Sequence, residues 1–251
     1  MHTILLLHGV MSSRIDFRRN QRDLEDLERP VVAMDLPGHG DRRVVAGSAD
    51  SLDRMALDVA ARLDDRVAHL VVGHSLGALV GLCLARLRPD LVSGVVLEDP
   101  PGLTSNDPAR VAAEVEIATR RARADPDGEV TKLLSGGSTW TRPAAEDSVH
   151  SRQAADASSI ARFLRTQRWD LPALVAESPA PVALIAATEP DTALNGADRE
   201  RLLTLIPPDR VRIVNSGHTV HRDRPALWLI SVLRFGHSLG LDKAQWHSRS
   251  E

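Results

Sequence analysis

Short apolar segments alternate along the chain with amphipathic helical segments, and this alternation limits the folds that the chain can adopt. Six apolar runs lie between turn residues and have the length and composition of strands buried on both faces. These runs are Thr3 to Leu7, Val31 to Asp35, Leu70 to Gly73, Gly94 to Glu98, Val182 to Ala187 and Val211 to Asn215. Strands that alternate with helices favour a mainly parallel sheet covered by helices on both faces. We therefore predict an α/β protein with a doubly wound sheet of about six strands.

The alternation stops in the middle of the chain. Between about Thr104 and Pro179, helical patterns follow one another without a convincing strand. Because the strand pattern resumes at Val182, we interpret this stretch as a helical insertion over one edge of the sheet, not as an independent domain. The predicted organisation is a core formed by residues 1–103 and 180–251, with the insertion at residues 104–179.

The composition argues against several functional classes. The 251 residues include 31 basic and 34 acidic side chains, with a net charge of -3 and no long run of one sign, so a nucleic-acid-binding surface is not expected. The single cysteine, Cys83, cannot form an internal disulfide or a cysteine-based zinc site, and it favours a reducing, cytoplasmic compartment. No apolar stretch approaches the length of a membrane span. We expect a small-molecule substrate, no cofactor, no metal, and neither a membrane nor a nucleic acid as partner.

The pentapeptide Gly73-His74-Ser75-Leu76-Gly77 places a serine between two glycines, after a strand-like run and before an apolar helix. A sharp turn from strand to helix holds such a serine hydroxyl above the sheet, and the glycines leave room for the crowded backbone. The N-terminus of the following helix directs backbone N–H groups at developing negative charge. Ser75 is therefore predicted to be a nucleophile.

The same five letters occur again from Gly236 to Gly240. This second copy follows a helical pattern and precedes polar residues, so we interpret it as a helix stop with Gly236 as the C-terminal cap. The strand and helix around Ser75, more than the pentapeptide itself, distinguish the two copies.

A serine nucleophile needs a base, and His218 lies in the loop after the last predicted strand. A loop at that position reaches the sheet edge towards which Ser75 should point. His221 is the alternative, but it lies nearer the final helix, where packing or capping is the more common use of a histidine. We predict His218 to be the base.

The third member of such a site is a buried carboxylate that accepts a hydrogen bond from the far nitrogen of the imidazole. Three acids follow predicted strands. Asp191 is the preferred candidate because it lies in the loop beyond the fifth strand, while Glu189 sits closer to the end of that strand. Asp99, at the end of the fourth strand, could perform the same function from a neighbouring position.

An oxyanion requires at least two hydrogen-bond donors. One is expected to be the N–H of Leu76, and the other the N–H of Val10 in the loop after the first strand. Gly9 permits close approach of that loop, and His8 is expected to brace it without acid–base work.

Four motifs in this order resemble those of the α/β-hydrolase family. They are His8-Gly9, the segment from Asp35 to Gly40, the pentapeptide around Ser75, and Gly217-His218 followed by Arg222 to Pro225. The resemblance implies an α/β-hydrolase fold, the chain order serine, acid, histidine, and an insertion that acts as a cap over the active site. The sequence departs from the family in two ways. It starts at the strand before the oxyanion loop, which agrees with about six strands, and its acid loop lacks the common Gly-x-x-Asp pattern.

The leading functional hypothesis is a cofactor-free serine hydrolase that cleaves a small, largely apolar ester or thioester. The resemblance also admits a carbon–carbon hydrolase or lyase of a cofactor or natural-product pathway, with Arg120, Arg121 and Arg123 as candidates to bind a polyanionic substrate. A solvated helix face is the more common explanation for such arginines. A ligand-binding module that has lost turnover is the third hypothesis.

Three large aromatic residues of the insertion are candidates for lining the substrate pocket. They are Trp140, Phe163 and Trp169. Packing of the insertion on the core is the more common role of such rings, so the sequence leaves both roles open for each of them.

Overall fold

The computed structural model describes residues 2–45, 47–102, 107–136 and 140–241, and a parallel sheet forms its centre. The strands within these residues are β1 (His2–Leu7), β2 (Val31–Met34), β3 (Ala68–His74), β4 (Val92–Glu98), β5 (Val182–Ala187) and β6 (Val211–Val214). Their order across the sheet is β2-β1-β3-β4-β5-β6, and every neighbouring pair is parallel. The predicted six-stranded parallel sheet is confirmed.

Helices cover both faces of the sheet. They are α1 (Arg18–Glu25), α2 (Leu52–Ala60), α3 (Leu76–Leu87), α4 (Pro108–Ala124), α5 (Pro126–Ser135), α6 (Arg142–Ala154), α7 (Ala157–Thr166), α8 (Leu171–Ala176), α9 (Gly196–Leu205), α10 (Val220–Asp223) and α11 (Pro225–Ser238). Helices α2 and α3 share one apolar cluster with the sheet, whereas α1 and α11 share a second cluster on the opposite face. Among the helices of the described residues, none is long and apolar enough to cross a lipid bilayer.

The continuous apolar character of the strands follows from burial on both faces. In β1, Leu5 and Leu7 belong to the cluster under α2 and α3, while Ile4 and Leu6 belong to the cluster under α1 and α11. Successive side chains of a strand point to opposite faces, so a strand covered on both sides needs an apolar residue at every position. This requirement explains why the sequence reads as uninterrupted apolar runs.

In the described residues, five helices, α4 to α8, follow β4 and precede β5. No strand occurs in the described residues between β4 and β5, in agreement with the predicted helical character of this stretch. Part of the insertion has a small apolar cluster of its own, formed by Ala122, Val130, Ala145 and Val149. The predicted boundary between core and insertion falls at residues 103–104, outside the described residues, and remains a prediction.

The second copy of the pentapeptide ends a helix, but at a different glycine from the one predicted. Helix α11 continues through Gly236 to Ser238, and Gly240 adopts a φ of 73°. The Gly240 N–H donates to the His237 carbonyl at 2.9 Å, and the Leu241 N–H donates to the Gly236 carbonyl at 3.0 Å. These two bonds form a Schellman motif, which requires a left-handed residue just beyond the helix. The prediction of Gly236 as the cap is therefore wrong, because Gly240 supplies that conformation.

One buried histidine lies at the opposite end of the sheet from the pentapeptide turn. His69, near the start of β3, is 4% exposed, and within the described part of the chain both its ring nitrogens are buried without a hydrogen-bond partner. Burial lowers its pKa to about 4. A buried polar group without a partner destabilises the folded state.

Replacing His69 by leucine is expected to raise the free energy of unfolding by about 1 kcal/mol at neutral pH. An unfolded histidine has a pKa near 6.5, so between that pH and about 4 the unfolded wild type binds more protons than the folded protein. The wild type therefore loses stability as the pH falls through this window, and the advantage of the leucine variant is expected to grow. Urea unfolding of both proteins at pH 7 and pH 5 measures this; a leucine variant less stable than wild type at pH 5 would contradict it.

Candidate active site

Ser75 lies at a sharp turn between β3 and α3. Its φ of 52° and ψ of -117° are uncommon for a residue other than glycine. A Cβ atom on Gly73 would lie 2.4 Å from the backbone of Gly77, and one on Gly77 would lie 2.1 Å from the carbonyl oxygen of Leu7. Both glycines are therefore needed for α3 to begin directly behind the strand. This local geometry is the strand-to-helix turn expected from the pentapeptide.

His218, in the loop between β6 and α10, is hydrogen-bonded to Asp99 at the end of β4. Its Nδ1–H donates to Oδ2 of Asp99 at 2.7 Å. The Asp99 side chain is fully buried and also accepts hydrogen bonds from the Ala193 N–H at 2.8 Å and the Thr192 hydroxyl at 2.5 Å. Asp99 has a φ of 40°, a conformation that aspartate tolerates better than most residues. These donors compensate for the burial of the carboxylate and fix its orientation.

The acid that bonds His218 in the structure differs from the one that the sequence favoured. Asp191 lies in the loop after β5 as expected, but it is exposed at a cavity, and within the described residues neither Asp191 nor Glu189 bonds the His218 ring. A Cβ atom on Gly217 would lie 3.1 Å from both carboxylate oxygens of Asp191. Asp191 therefore faces the backbone beside His218, and Asp99, the alternative at the neighbouring strand, bonds the imidazole.

His221, the alternative base, is buried below this site. Its ring Nδ1–H donates to Oε1 of Glu98 at 2.8 Å, and its side chain is 2% exposed. The cavity that Ser75 lines does not include it. His221 is thus a packed and bonded histidine, which agrees with the packing role expected for it.

His74 connects the Ser75 turn to the loop that carries His218. Its Nε2–H donates to the backbone carbonyl of His218 at 3.1 Å. Burial, assisted by the nearby His218 and His221 rings, holds the pKa of His74 well below its usual range. The ring is therefore neutral at physiological pH, and since a carbonyl only accepts, the proton resides on Nε2.

Ser75 and His218 both line a cavity of about 580 Å³ between the sheet and the insertion. Val10 and Leu76 lie at its sheet side, and the insertion contributes side chains from α4 and α7. Its apolar lining includes Leu79, Val111 and Leu164. Arg110 and Glu114 also line the cavity, but the guanidinium donates to the carboxylate at 2.6 Å, so their charges compensate each other.

The three candidate aromatic residues of the insertion occupy different environments. Trp169 lines the cavity, and its Nε1–H donates to the Pro101 carbonyl at 2.8 Å. Phe163 is buried behind it, with the two rings stacked at a centroid distance of 6.4 Å. Trp140 packs against the separate insertion cluster, and the guanidinium carbon of Arg222 lies 3.7 Å from its ring centroid. Phe163 and Trp140 are thus packing residues that do not line the cavity.

The arginines considered for a polyanionic substrate lie elsewhere. Arg120 and Arg123 line a second cleft of about 1140 Å³, whose lining includes neither Ser75 nor His218. The guanidinium of Arg123 donates to two backbone carbonyls, at 3.0 and 2.9 Å. Arg121 is exposed on the same helix. These side chains do not face the cavity beside Ser75.

The remaining reactive side chain of interest, Cys83, is buried in α3. Burial raises the pKa of its thiol to about 12, so the thiol stays protonated at neutral pH and is a poor nucleophile. In the part of the chain that the structure describes, no group of three or more His, Cys, Asp or Glu side chains is arranged to hold a metal ion.

Comparison with known proteins agrees with the fold. The sequence model of the Alpha/beta hydrolase family matches residues 4–231. The chain belongs to the alpha/beta hydrolase family. The four motifs that resemble this family therefore reflect membership in it.

Two curated relatives match parts of the chain. The dihydrolipoyllysine-residue acetyltransferase component of the acetoin cleaving system of Pseudomonas putida is 29% identical over 186 residues, which cover 70% of this chain and 49% of that protein. Lipase LipV of Mycobacterium tuberculosis is 32% identical over 118 residues, which cover 46% of this chain and 44% of that protein. The matched segments thus span about half the length of these curated relatives.

Solved structures share the fold over nearly the whole chain. The structure of E-2-(acetamidomethylene)succinate hydrolase matches with a TM-score of 0.74 and 22% identity, covering 94% of this chain and 91% of that one. A thermophilic esterase from Thermogutta terrifontis matches with a TM-score of 0.74 and 20% identity, covering 95% and 90%. At these identities the likeness establishes the alpha/beta hydrolase fold.

Sequence reasoning did not identify the groups that hold Asp99. The Thr192 hydroxyl and the Ala193 N–H both come from the loop after β5, the same loop that carries Asp191. A backbone N–H leaves no mark in a sequence, so Ala193 had no signal. The Thr192 hydroxyl, in the loop where the acid was predicted, is visible in the sequence as a possible donor, but it is a weak signal.

Proposed function

We propose that this chain is a serine hydrolase that cleaves small, largely apolar esters or thioesters through an acyl-enzyme on Ser75. The observation that carries the proposal is the hydrogen bond from His218 to the buried Asp99, because His218 lines the same cavity as Ser75. A histidine oriented by a buried carboxylate and placed at the cavity of a strained serine is the arrangement used by serine hydrolases.

The proposed reaction begins when the Ser75 hydroxyl attacks the carbonyl carbon and His218 Nε2 accepts its proton. Asp99 stabilises the resulting imidazolium, while the N–H groups of Leu76 and Val10 bind the oxyanion. Collapse of the tetrahedral intermediate expels the alcohol or thiol, which receives the proton from His218. A water molecule then attacks the acyl carbon and gives a proton to His218. Release of the carboxylic acid returns that proton to Ser75.

The cavity supports a small and largely apolar substrate. Its volume of about 580 Å³ lies within the range of ligand pockets for small molecules. The aliphatic lining favours an acyl chain, and the charges of Arg110 and Glu114 compensate each other. The exposed carboxylate of Asp191, which also lines the cavity, disfavours an anionic substrate. The names of a lipase and an esterase among the similar proteins support cleavage of an ester bond.

We also propose that residues 104–179 act as a cap. In support, α4 and α7 each contribute side chains to the cavity, as does Trp169 in the segment between α7 and α8. A cap at this position shapes the substrate pocket and shields the reacting groups from water.

The position of the arginines supports ester cleavage over the carbon–carbon hydrolase or lyase hypothesis. Binding of a polyanionic substrate needs cationic groups around the reacting atoms. Arg120 and Arg123 face another cleft, and Arg110 is already paired. The groups proposed to react are also present together, which favours turnover over a module that only binds.

A series of p-nitrophenyl esters of increasing acyl length tests the proposal. We expect the highest kcat/KM for acyl chains of about four to eight carbons, since longer chains exceed the length of such a cavity. Replacing Trp169 by alanine enlarges the cavity and is expected to raise kcat/KM for a twelve-carbon ester by about tenfold relative to the four-carbon ester. The measurement is the ratio of kcat/KM values along the series.

Replacing Trp140 by alanine is the matched control, because this tryptophan lies outside the cavity. It is expected to leave the chain-length profile unchanged. Identical profiles for wild type and the Trp169 variant would refute the assigned cavity, and wild-type inactivity on every ester would refute ester hydrolysis.

A further inference from the structure

A second histidine–carboxylate pair lies directly behind the first. Glu98 and Asp99 are consecutive residues at the end of β4, and their partners His221 and His218 are three residues apart. Asp99 bonds the histidine at the cavity, and Glu98 bonds the histidine buried below it. The proposed reaction uses only the first pair, so the function of the second is open.

Glu98 is a completely buried carboxylate that holds two other elements. Its Oε1 atom accepts a hydrogen bond from the backbone N–H of His221 at 2.8 Å. The ring Nδ1–H of His221 lies 2.8 Å from Oε1 and 3.0 Å from Oε2. The indole N–H of Trp228 donates to Oε2 at 2.9 Å. His221 lies in α10 and Trp228 in α11. A carboxylate without solvent is tolerated only when donors of this kind surround it.

The same residue is linked to the serine turn. The backbone carbonyl of Glu98 accepts the N–H of Ser75 at 2.9 Å. The His74 ring, which donates to the His218 carbonyl, has its centroid 4.6 Å from that of His218 and 5.1 Å from that of His221. The segment from His218 to His221 is therefore held from below by Glu98 and from the side by His74.

We propose that Glu98 and His221 are positioning residues that fix the 218–221 segment, so that the His218 imidazole meets Asp99 at the cavity that Ser75 also lines. This inference rests on the proposed function and deepens it. Glu98 and His221 do not line the cavity and touch no substrate. Their effect reaches the reaction through the backbone between His221 and His218, because a displaced base lowers the rate of proton transfer.

The test compares two substitutions of His221. Asparagine places a side-chain N–H where the imidazole Nδ1–H lies and keeps the bond to Glu98, whereas leucine removes that donor. With p-nitrophenyl butyrate, His221→Leu is expected to lower kcat by about ten- to a hundredfold with KM changed by less than about threefold. His221→Asn is expected to keep kcat within about fivefold of wild type, although it also loses the ring and its packing.

His69→Leu is the matched control, because it makes the same change at a buried histidine near the start of β3, at the end of that strand away from Ser75. It is expected to leave kcat unchanged. Thermal midpoints are recorded for every variant, and the rate constant of Ser75 labelling by a fluorophosphonate is measured on folded protein. A purely structural role would lower the midpoint of both His221 variants without separating their kcat values or labelling rates.

If His221→Leu does not fold, Glu98→Gln replaces it, since the amide keeps the volume but offers one acceptor oxygen in place of two. It is expected to lower kcat by about tenfold. The proposal is overturned if folded His221→Leu, or Glu98→Gln in its place, keeps kcat within twofold of wild type. It is also overturned if the kcat of His221→Asn is as low as that of His221→Leu. Failure of the proposed function is a separate result, namely esterase activity that survives Ser75→Ala.

Discussion

Replacing Ser75 by alanine is expected to lower kcat for a p-nitrophenyl ester by about four to six orders of magnitude. The hydroxyl is the group that forms the acyl-enzyme in the proposed reaction, and Ser75 lines the cavity in which the ester is proposed to bind. The backbone donors proposed at Val10 and Leu76 remain in the variant and account for the residual rate. Initial rates at saturating ester, normalised to folded protein, provide the measurement.

The second pentapeptide supplies a control of matching sequence. Ser238 has the same four neighbours as Ser75, but its hydroxyl donates to the Phe235 carbonyl at 2.7 Å within α11. Ser238→Ala is expected to retain wild-type kcat. A Ser75→Ala protein that keeps more than a tenth of wild-type activity would show that Ser75 is not the nucleophile.

Replacing Asp99 by asparagine is expected to lower kcat by about three to four orders of magnitude. The neutral amide cannot stabilise the imidazolium, and an amide N–H turned towards His218 would favour the wrong tautomer of the ring. The Thr192 hydroxyl donates to Oδ1 of Asp99, and the Ala193 N–H donates to Oδ2, the oxygen that also meets His218. Asparagine keeps the size of the side chain but only one of its two acceptor oxygens, so circular dichroism is recorded to check that the variant folds. The pre-steady-state rate of p-nitrophenol release reports the loss in the acylation step.

Asp191→Asn is the matched comparison, because it makes the same chemical change at the acid favoured by the sequence. Asp191 lines the cavity without bonding the His218 ring, so this variant is expected to keep kcat within about threefold of wild type. A larger loss in the Asp191 variant than in the Asp99 variant would reverse the assignment of the acid.

The sheet and the serine turn could be predicted from the sequence because both are local. A strand that is buried on both faces has an apolar residue at nearly every position, which is visible in the sequence as an apolar run. The close approach of α3 to β1 requires glycine at position 77, because a Cβ atom there would collide with the backbone of β1. The placement of His218 at the same cavity as Ser75 could likewise be predicted, because parallel strands bring their carboxyl ends to one edge of the sheet. Its role as the base stays a prediction.

The carboxylate that bonds His218 could not be predicted, because its identity depends on the relation between two neighbouring strands. Strand β4 is paired with β5, and the Asp99 N–H still donates to the Ile185 carbonyl at 2.9 Å. Acids at the ends of both strands can therefore reach the same region. The choice is made by burial and by backbone donors such as the Ala193 N–H, which the sequence does not encode in a recognisable form.

The environments of the aromatic rings in the insertion could not be predicted from the sequence either. Trp140 and Trp169 are both flanked by polar residues and helical segments, yet only Trp169 reaches the cavity. That difference depends on how α4 to α8 pack against one another and against the core, which is set by tertiary contacts spread along the insertion.

Intact-mass spectrometry after incubation with a fluorophosphonate tests the central claim most directly, because this reagent forms a stable covalent bond with a serine activated by a neighbouring base. We predict one adduct per wild-type chain, located on Ser75 by peptide mapping, and none on the Ser75→Ala variant under the same conditions. Wild-type protein that stays unmodified, or an adduct that persists in the alanine variant, would contradict an activated nucleophile at Ser75.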